Sequence, residues 1–99
     1  MFGRGAPATA GLDMAITHAD FVRQLTAAFG PPHNPEPDVF TGRHDGWAWR
    51  IALRPAAPTR LGSVVLERWA VRIDLAAPTP EARTRWWDRF TTHFQKGGG

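Results

Sequence analysis

The chain has 99 residues and a net charge of +3, with five Trp, six Phe, no Tyr and no Cys. That length holds one domain with a single modest core. The lack of cysteine excludes disulfides, thiolate chemistry and cysteine-ligated metal sites, and it fits a reducing cytoplasm.

Residues 1–13, "MFGRGAPATAGLD", contain no apolar run of the roughly 7–15 residues that a secretory signal needs. Nor does any stretch reach the roughly 18 apolar residues of a membrane span. These thirteen residues are mostly Gly, Ala, Pro and Thr, without periodicity. They read as a disordered arm that can be removed without loss of stability. Met14 reads as a second place where the native chain could start. Every cation but Lys96 is arginine, and the abundance of Ala, Arg, Pro and Gly matches the codon bias of a GC-rich bacterial genome.

A first helix follows. Thr17 and Asp20 form a capping-box-like pair, and Ile16 and Phe21 stand at the positions of a hydrophobic staple. Phe21, Val22, Leu25, Ala28 and Phe29 make its apolar stripe. Gly30 suits the end of the helix, and Pro31-Pro32 forbid continuation. "PPHNPEP" then reads as a stiff connector.

"DVFTGRHDGWAWRIALRP" predicts a hairpin with Asp45-Gly46 as its type I′ turn. A two-residue loop fixes the register: His44 faces Trp47, Gly42 faces Trp49, Phe40 faces Ile51, Thr41 faces Arg50 and Val39 faces Ala52. Gly42 then lies beneath the Trp49 ring. "PAAPTRLG" reads as a second connector. A third strand spans about Ser63 to Leu75. Its apolar phase slips between Val64/Leu66 and Trp69/Val71/Ile73, which predicts a bulge at Glu67-Arg68.

A second helix begins at Thr79 as N-cap, with Pro80 in its first position and Glu81 in its first turn. Ala82, Trp86, Phe90, His93 and Phe94 form its stripe, with Trp87 on the flank. The order α-β-β-β-α predicts an α+β fold. It is a three-stranded antiparallel sheet with two helices packed on one face, a single domain over 14–96, and a flexible glycine tail at 97–99.

Both helices then cover the tryptophan face. The other face carries Arg43, Arg50, Arg54, Arg68 and Arg72, with Asp74 as its one acid, so the charge excess of the molecule is expected there. These five arginines are the candidate binding residues, because guanidinium forks suit carboxylates and phosphates. The alanines between them leave the backbone approachable. A solvated face with arginine stems shielding the strands is the plainer account.

The element order matches that of double-stranded RNA-binding domains. Those domains bind through helices and a loop, and the basic cluster near the second helix is reduced here to Arg83 and Arg85 beside Glu81. The chain is not placed among them. Single-strand binding needs aromatics on the open face. The register puts Trp47, Trp49 and Trp69 on the covered one. The terminal Gly-Gly resembles that of sulfur-carrier and ubiquitin-like proteins. Their tails leave a β-strand, whereas this one leaves a helix, and a helix stop is the reading.

His18, His33, His44 and His93 fall in four segments without ligand spacing, so no metal and no cofactor are expected. Ser63 is the only serine, and no nucleophile–base pair or paired carboxylates stand out. The expectation is a small, non-catalytic cytoplasmic protein that contacts a protein partner, or itself as a homodimer, through the arginine face. A nucleic-acid partner for the same face is the alternative, a carrier or accessory subunit using the glycine tail is the weaker one, and no membrane is involved.

Overall fold

The computed structural model describes residues 7–44 and 46–98, and side chains up to Phe94 apart from that of His44. The elements run β1 (Thr9–Ala15), α1 (His18–Phe29), β2 (His33–Glu36), β3 (Val39–His44), β4 (Trp47–Leu61), β5 (Val64–Ala76) and α2 (Pro80–Gly98). The strands form one five-stranded sheet in the order β1-β5-β4-β3-β2. Every neighbouring pair is antiparallel. No helix among the described residues is long and apolar enough to cross a membrane.

The α+β class and both helices match the expectation. The three-stranded sheet does not: there are five strands, and both extra ones are edges. β1 lies where a disordered arm was expected. Its residues Ala10, Leu12 and Met14 face inward and pack against the core. The alternation is present in the sequence but diluted by Thr, Ala and Gly, and pairing with β5 over Thr9–Ala15 supplies what local propensity lacks. Two further bonds fasten the start of this segment. The Ala8 carbonyl accepts from Leu75 N at 2.7 Å, and the Pro7 carbonyl accepts from the buried Trp87 indole at 2.7 Å. β2 lies inside the connector "PPHNPEP". All four of its residues are exposed. It carries Pro35, which a sheet tolerates on an outer strand.

The β3–β4 hairpin has the register read from the sequence, residue for residue, from His44↔Trp47 to Val39↔Ala52. Asp45 lies outside the described residues, and Gly46 adopts φ +84°. Gly42 lies beneath Trp49 as expected. A Cβ built on it would clash with the indole ring.

The second connector, by contrast, is strand. β4 continues through it to Leu61, and Leu61 pairs with Val64 around a two-residue Gly62-Ser63 turn with Gly62 at φ +63°. The bulge occurs opposite the expected place. Ala56 pairs with Arg68 and Thr59 with Leu66, so Ala57 and Pro58 of β4 together oppose Glu67. Proline lacks the N–H that a regular ladder position would use, which is why the extra residue falls there.

Thr17 caps α1, its hydroxyl accepting from Asp20 N at 3.1 Å, and Gly30 closes it at φ +84°. Thr79 caps α2 in the same way, accepting from Ala82 N at 3.1 Å. The two helices lie on one face of the sheet. Phe21 meets Phe94 at 4.9 Å between ring centroids, and Phe29 stacks on Trp86 at 4.9 Å. Trp49 reaches this layer from the sheet, 5.5 Å from Phe29. Phe21, Ile51, Ile73, Trp86 and Trp87 are wholly buried. Burial of this kind contributes roughly 1.5–3 kcal/mol per large side chain and is the main source of stability.

One joint ties α1 to the sheet. A single Glu67 oxygen accepts from His18 N and from the Trp69 indole, both at 2.8 Å. The Trp69 hydrogen bond, then the His18 backbone hydrogen bond, hold the Glu67 carboxyl below the ordinary carboxylate range. The charge also suits the helix N-terminus it faces. His18 reaches on to Asp38 at 3.1 Å, linking α1 to the β2–β3 turn.

Candidate functional site

Alternation along β3, along β4 as far as its bulge, and along β5 sends one set of side chains into the helix layer and the other outward. All five candidate arginines are on the outward set. Cross-strand pairing arranges them in rows. Arg43 stands beside Ala48. Arg50 stands between Thr41 and Asp74. Arg72 stands between Gly11 and Ala52, Arg54 beside Ala70, and Arg68 between Ala15 and Ala56.

The electrostatics differ from the expectation in one respect. Asp74 is not the only acid, because β1 brings Asp13 to the same face. Arg68 forms an ion pair with Asp13 and donates to the Thr59 hydroxyl at 3.0 Å. Arg72 lies 3.3 Å from Asp74, which also accepts from the Thr9 hydroxyl at 3.3 Å. The charge excess is therefore partly neutralised where it stands. Arg43, Arg50 and Arg54 make no ion pair or hydrogen bond among the described residues.

Small residues hollow the centre of this face. A shallow depression of about 630 Å³ opens over it, lined by Gly11, Ala52, Ala70, Arg54, Arg72, Asp13 and Thr9 among others. Nothing stands within 4 Å of the place where Gly11 would carry a Cβ. The floor is backbone and methyl groups, and the rim is charged. Thr9 adds a hydroxyl and Asp13 a carboxylate to the lining. No three His, Cys, Asp or Glu side chains come together as a metal-binding group among the described residues.

The tryptophans lie on the covered face, as the register requires. Trp47 and Trp49 are buried, and Trp69 is half-buried beside Glu67. Among the described residues no Trp or Phe side chain lies on the arginine face.

The sequence reading missed a second feature. Beyond the last β1 and β3 pairs, β4 and β5 continue alone as a two-stranded ribbon. Its end exposes Leu61 (61%), Val64 (53%), Val65 (52%) and Leu66 (38%). Val64 and Leu66 were expected on the covered face. They are instead on the outer side, paired with Leu61 and Thr59, while Val65 is on the other side with Arg60. The signal was available. Gly-Ser between two runs of strand-forming residues marks a two-residue hairpin loop. No protein-family model and no curated protein matches this sequence.

Proposed function

We propose that the protein is a non-catalytic binding module that takes a protein partner on the outer face of its sheet. The observation that carries this reading is the depression floored by Gly11, Ala52 and Ala70 between Arg54 and Arg72. A face kept only for solvation has no need of a recess, and monomeric proteins seldom combine one with a projecting apolar ribbon. Arg54 at the rim, and Arg50 on the same face beyond it, remain available for carboxylates, where charge sets specificity and encounter rate. The cysteine-free, arginine-rich composition fits the bacterial cytoplasm as the place where this happens.

A nucleic-acid partner has less support. Arg68 and Arg72 are engaged by Asp13 and Asp74, which also repel phosphates. The carrier reading draws nothing from α2, which runs through Gly98.

The test is a photo-cross-linking amino acid placed at Ala52 or Ala70 on the outer face, or at Thr92 on the exposed side of α2, in the cells that make the protein. Protein adducts from positions 52 and 70 but not from 92 are the expected result. Adducts with nucleic acid at 52 and 70, or no adducts at all, overturn the reading.

A further inference from the structure

The ribbon and the depression belong to the same two strands and the same face, on either side of the Arg68–Ala56 pair. Moving from that pair toward the tip, the outer face presents Leu66 with Thr59, then Val64 with Leu61. Moving the other way, it presents Ala70 with Arg54, then Arg72 with Ala52. At two of these four positions a leucine on one side corresponds to an alanine on the other, Leu66 to Ala70 and Leu61 to Ala52.

This matching makes the face self-complementary. A twofold axis lying across the strands above Arg68 and Ala56 turns one copy over onto another with β4 over β4 and β5 over β5. It sets Leu66 over Ala70 of the second copy and Leu61 over its Ala52. The two leucines land on the two alanines that floor the depression. Val64 meets the aliphatic stem of Arg72, and Thr59 meets Arg54. Arg68 lies near the axis, where it would face its own mate. It is already neutralised by Asp13, so the approach carries little repulsion.

We infer that the partner of the sheet face is a second copy of this chain, each ribbon lying in the depression of the other. The inference rests on the outer face being a protein-binding surface, as proposed above. It accounts for two features at once: a recess floored by small residues, and the exposed aliphatic side chains of Leu61, Val64 and Leu66, which nothing among the described residues covers. Isologous contacts of this type close after two copies, so the product is a dimer and not a fibre. Packing two sheets face to face with strands nearly aligned is an ordinary arrangement.

The native chain has no cysteine, which makes thiol cross-linking clean. Leu66 and Ala70 of one chain stand four residues apart on one strand, about 13 Å, whereas sheets packed face to face stand about 10 Å apart and two side chains pointing at each other across the gap come much closer. A short bis-thiosulfonate reagent therefore joins a chain carrying both Leu66→Cys and Ala70→Cys only between copies, where a direct disulfide would need backbones within roughly 7 Å. The expected result is a covalent dimer with that reagent, and a heterodimer when the two single variants are mixed. Val65→Cys mixed with Ala70→Cys should cross-link far less, because Val65 is on the other side of the ribbon.

Sedimentation of the native chain should show a concentration-dependent dimer. Leu61→Arg with Leu66→Arg should raise its dissociation constant by about a hundredfold or more. Both positions are exposed, so circular dichroism of the variant should be unchanged and its melting should match that of the native chain diluted to monomer. A native chain that is monomeric at every concentration, or Val65 cross-linking as well as Leu66, overturns the inference. If such a monomer still gives photo-adducts with a different protein at Ala52 and Ala70, the second copy is excluded while the binding face stands. If no adducts form either, both fall.

Discussion

Glu67 shows how one side chain sets a local dependence on pH. Its carboxylate is the acceptor for the first N–H of α1 and for the Trp69 indole, and these bonds lower its pKa from 4.5. A carboxyl with a lowered folded pKa stabilises the protein fully above the unfolded value, and that contribution is lost as pH falls through the folded value. Glu67→Gln keeps an acceptor but removes the charge. Thermal melting should therefore place the native chain above the variant at pH 7, with the gap closing toward pH 3. Gly42 shows a steric constraint instead. Its missing Cβ is the space that Trp49 occupies, with Phe29 and Trp86 behind the ring. Gly42→Ala should cost about 1–3 kcal/mol in denaturant unfolding, because the indole has no free direction in which to move. This contact was legible in the sequence because a two-residue turn fixes every opposing pair behind it. Asp13 was not, since its place on the arginine face depends on a strand that forms only against β5.

The same distinction holds for whole elements. α1 and α2 announce themselves through caps and a 3.6-residue stripe, which are local properties. β1 and β2 carry no comparable signal: one is diluted with Ala and Gly, the other is polar and contains Pro35. Their structure comes from neighbours far along the chain, and no window of sequence contains both partners. The ribbon was obscured for another reason. Pro55 and Pro58 suggest a loop, yet a strand whose side is open to solvent loses little by lacking an N–H there. For β1 the consequence is measurable. A chain starting at Met14 loses the Leu12 and Ala10 packing, most of the β5 pairing and the carbonyl that satisfies Trp87. Its unfolding free energy should fall by on the order of 2–4 kcal/mol. A chain that melts within a degree or two of the native one would show that β1 adds nothing.

Across the whole molecule, the strands divide by the distance they span. β2 to β5 form a meander of neighbouring hairpins, whereas β1 must find β5, with Met14 opposite Trp69. Closing the longer loop costs more entropy before any contact rewards it. β1 should therefore dock after the folding barrier is crossed. In stopped-flow chevrons, Leu12→Ala should speed unfolding and leave the folding rate nearly unchanged, while Ile73→Val in the central strand should slow folding. Equal slowing by both would place β1 in the nucleus. The sheet's outer face inherits this order, since Asp13 and Gly11 join the arginines only when β1 arrives.

The joint at Glu67 also makes the protein its own optical reporter. Without tyrosine, its near-ultraviolet emission comes almost entirely from indoles, and Trp69 alone of the five is not buried. The His18 ring stands edge-on to it at 5.4 Å. A shift of the ribbon against α1 would change both that distance and the Trp69–Glu67 hydrogen bond. The intensity and colour of one tryptophan thus record, without any label, how the projecting strands are held.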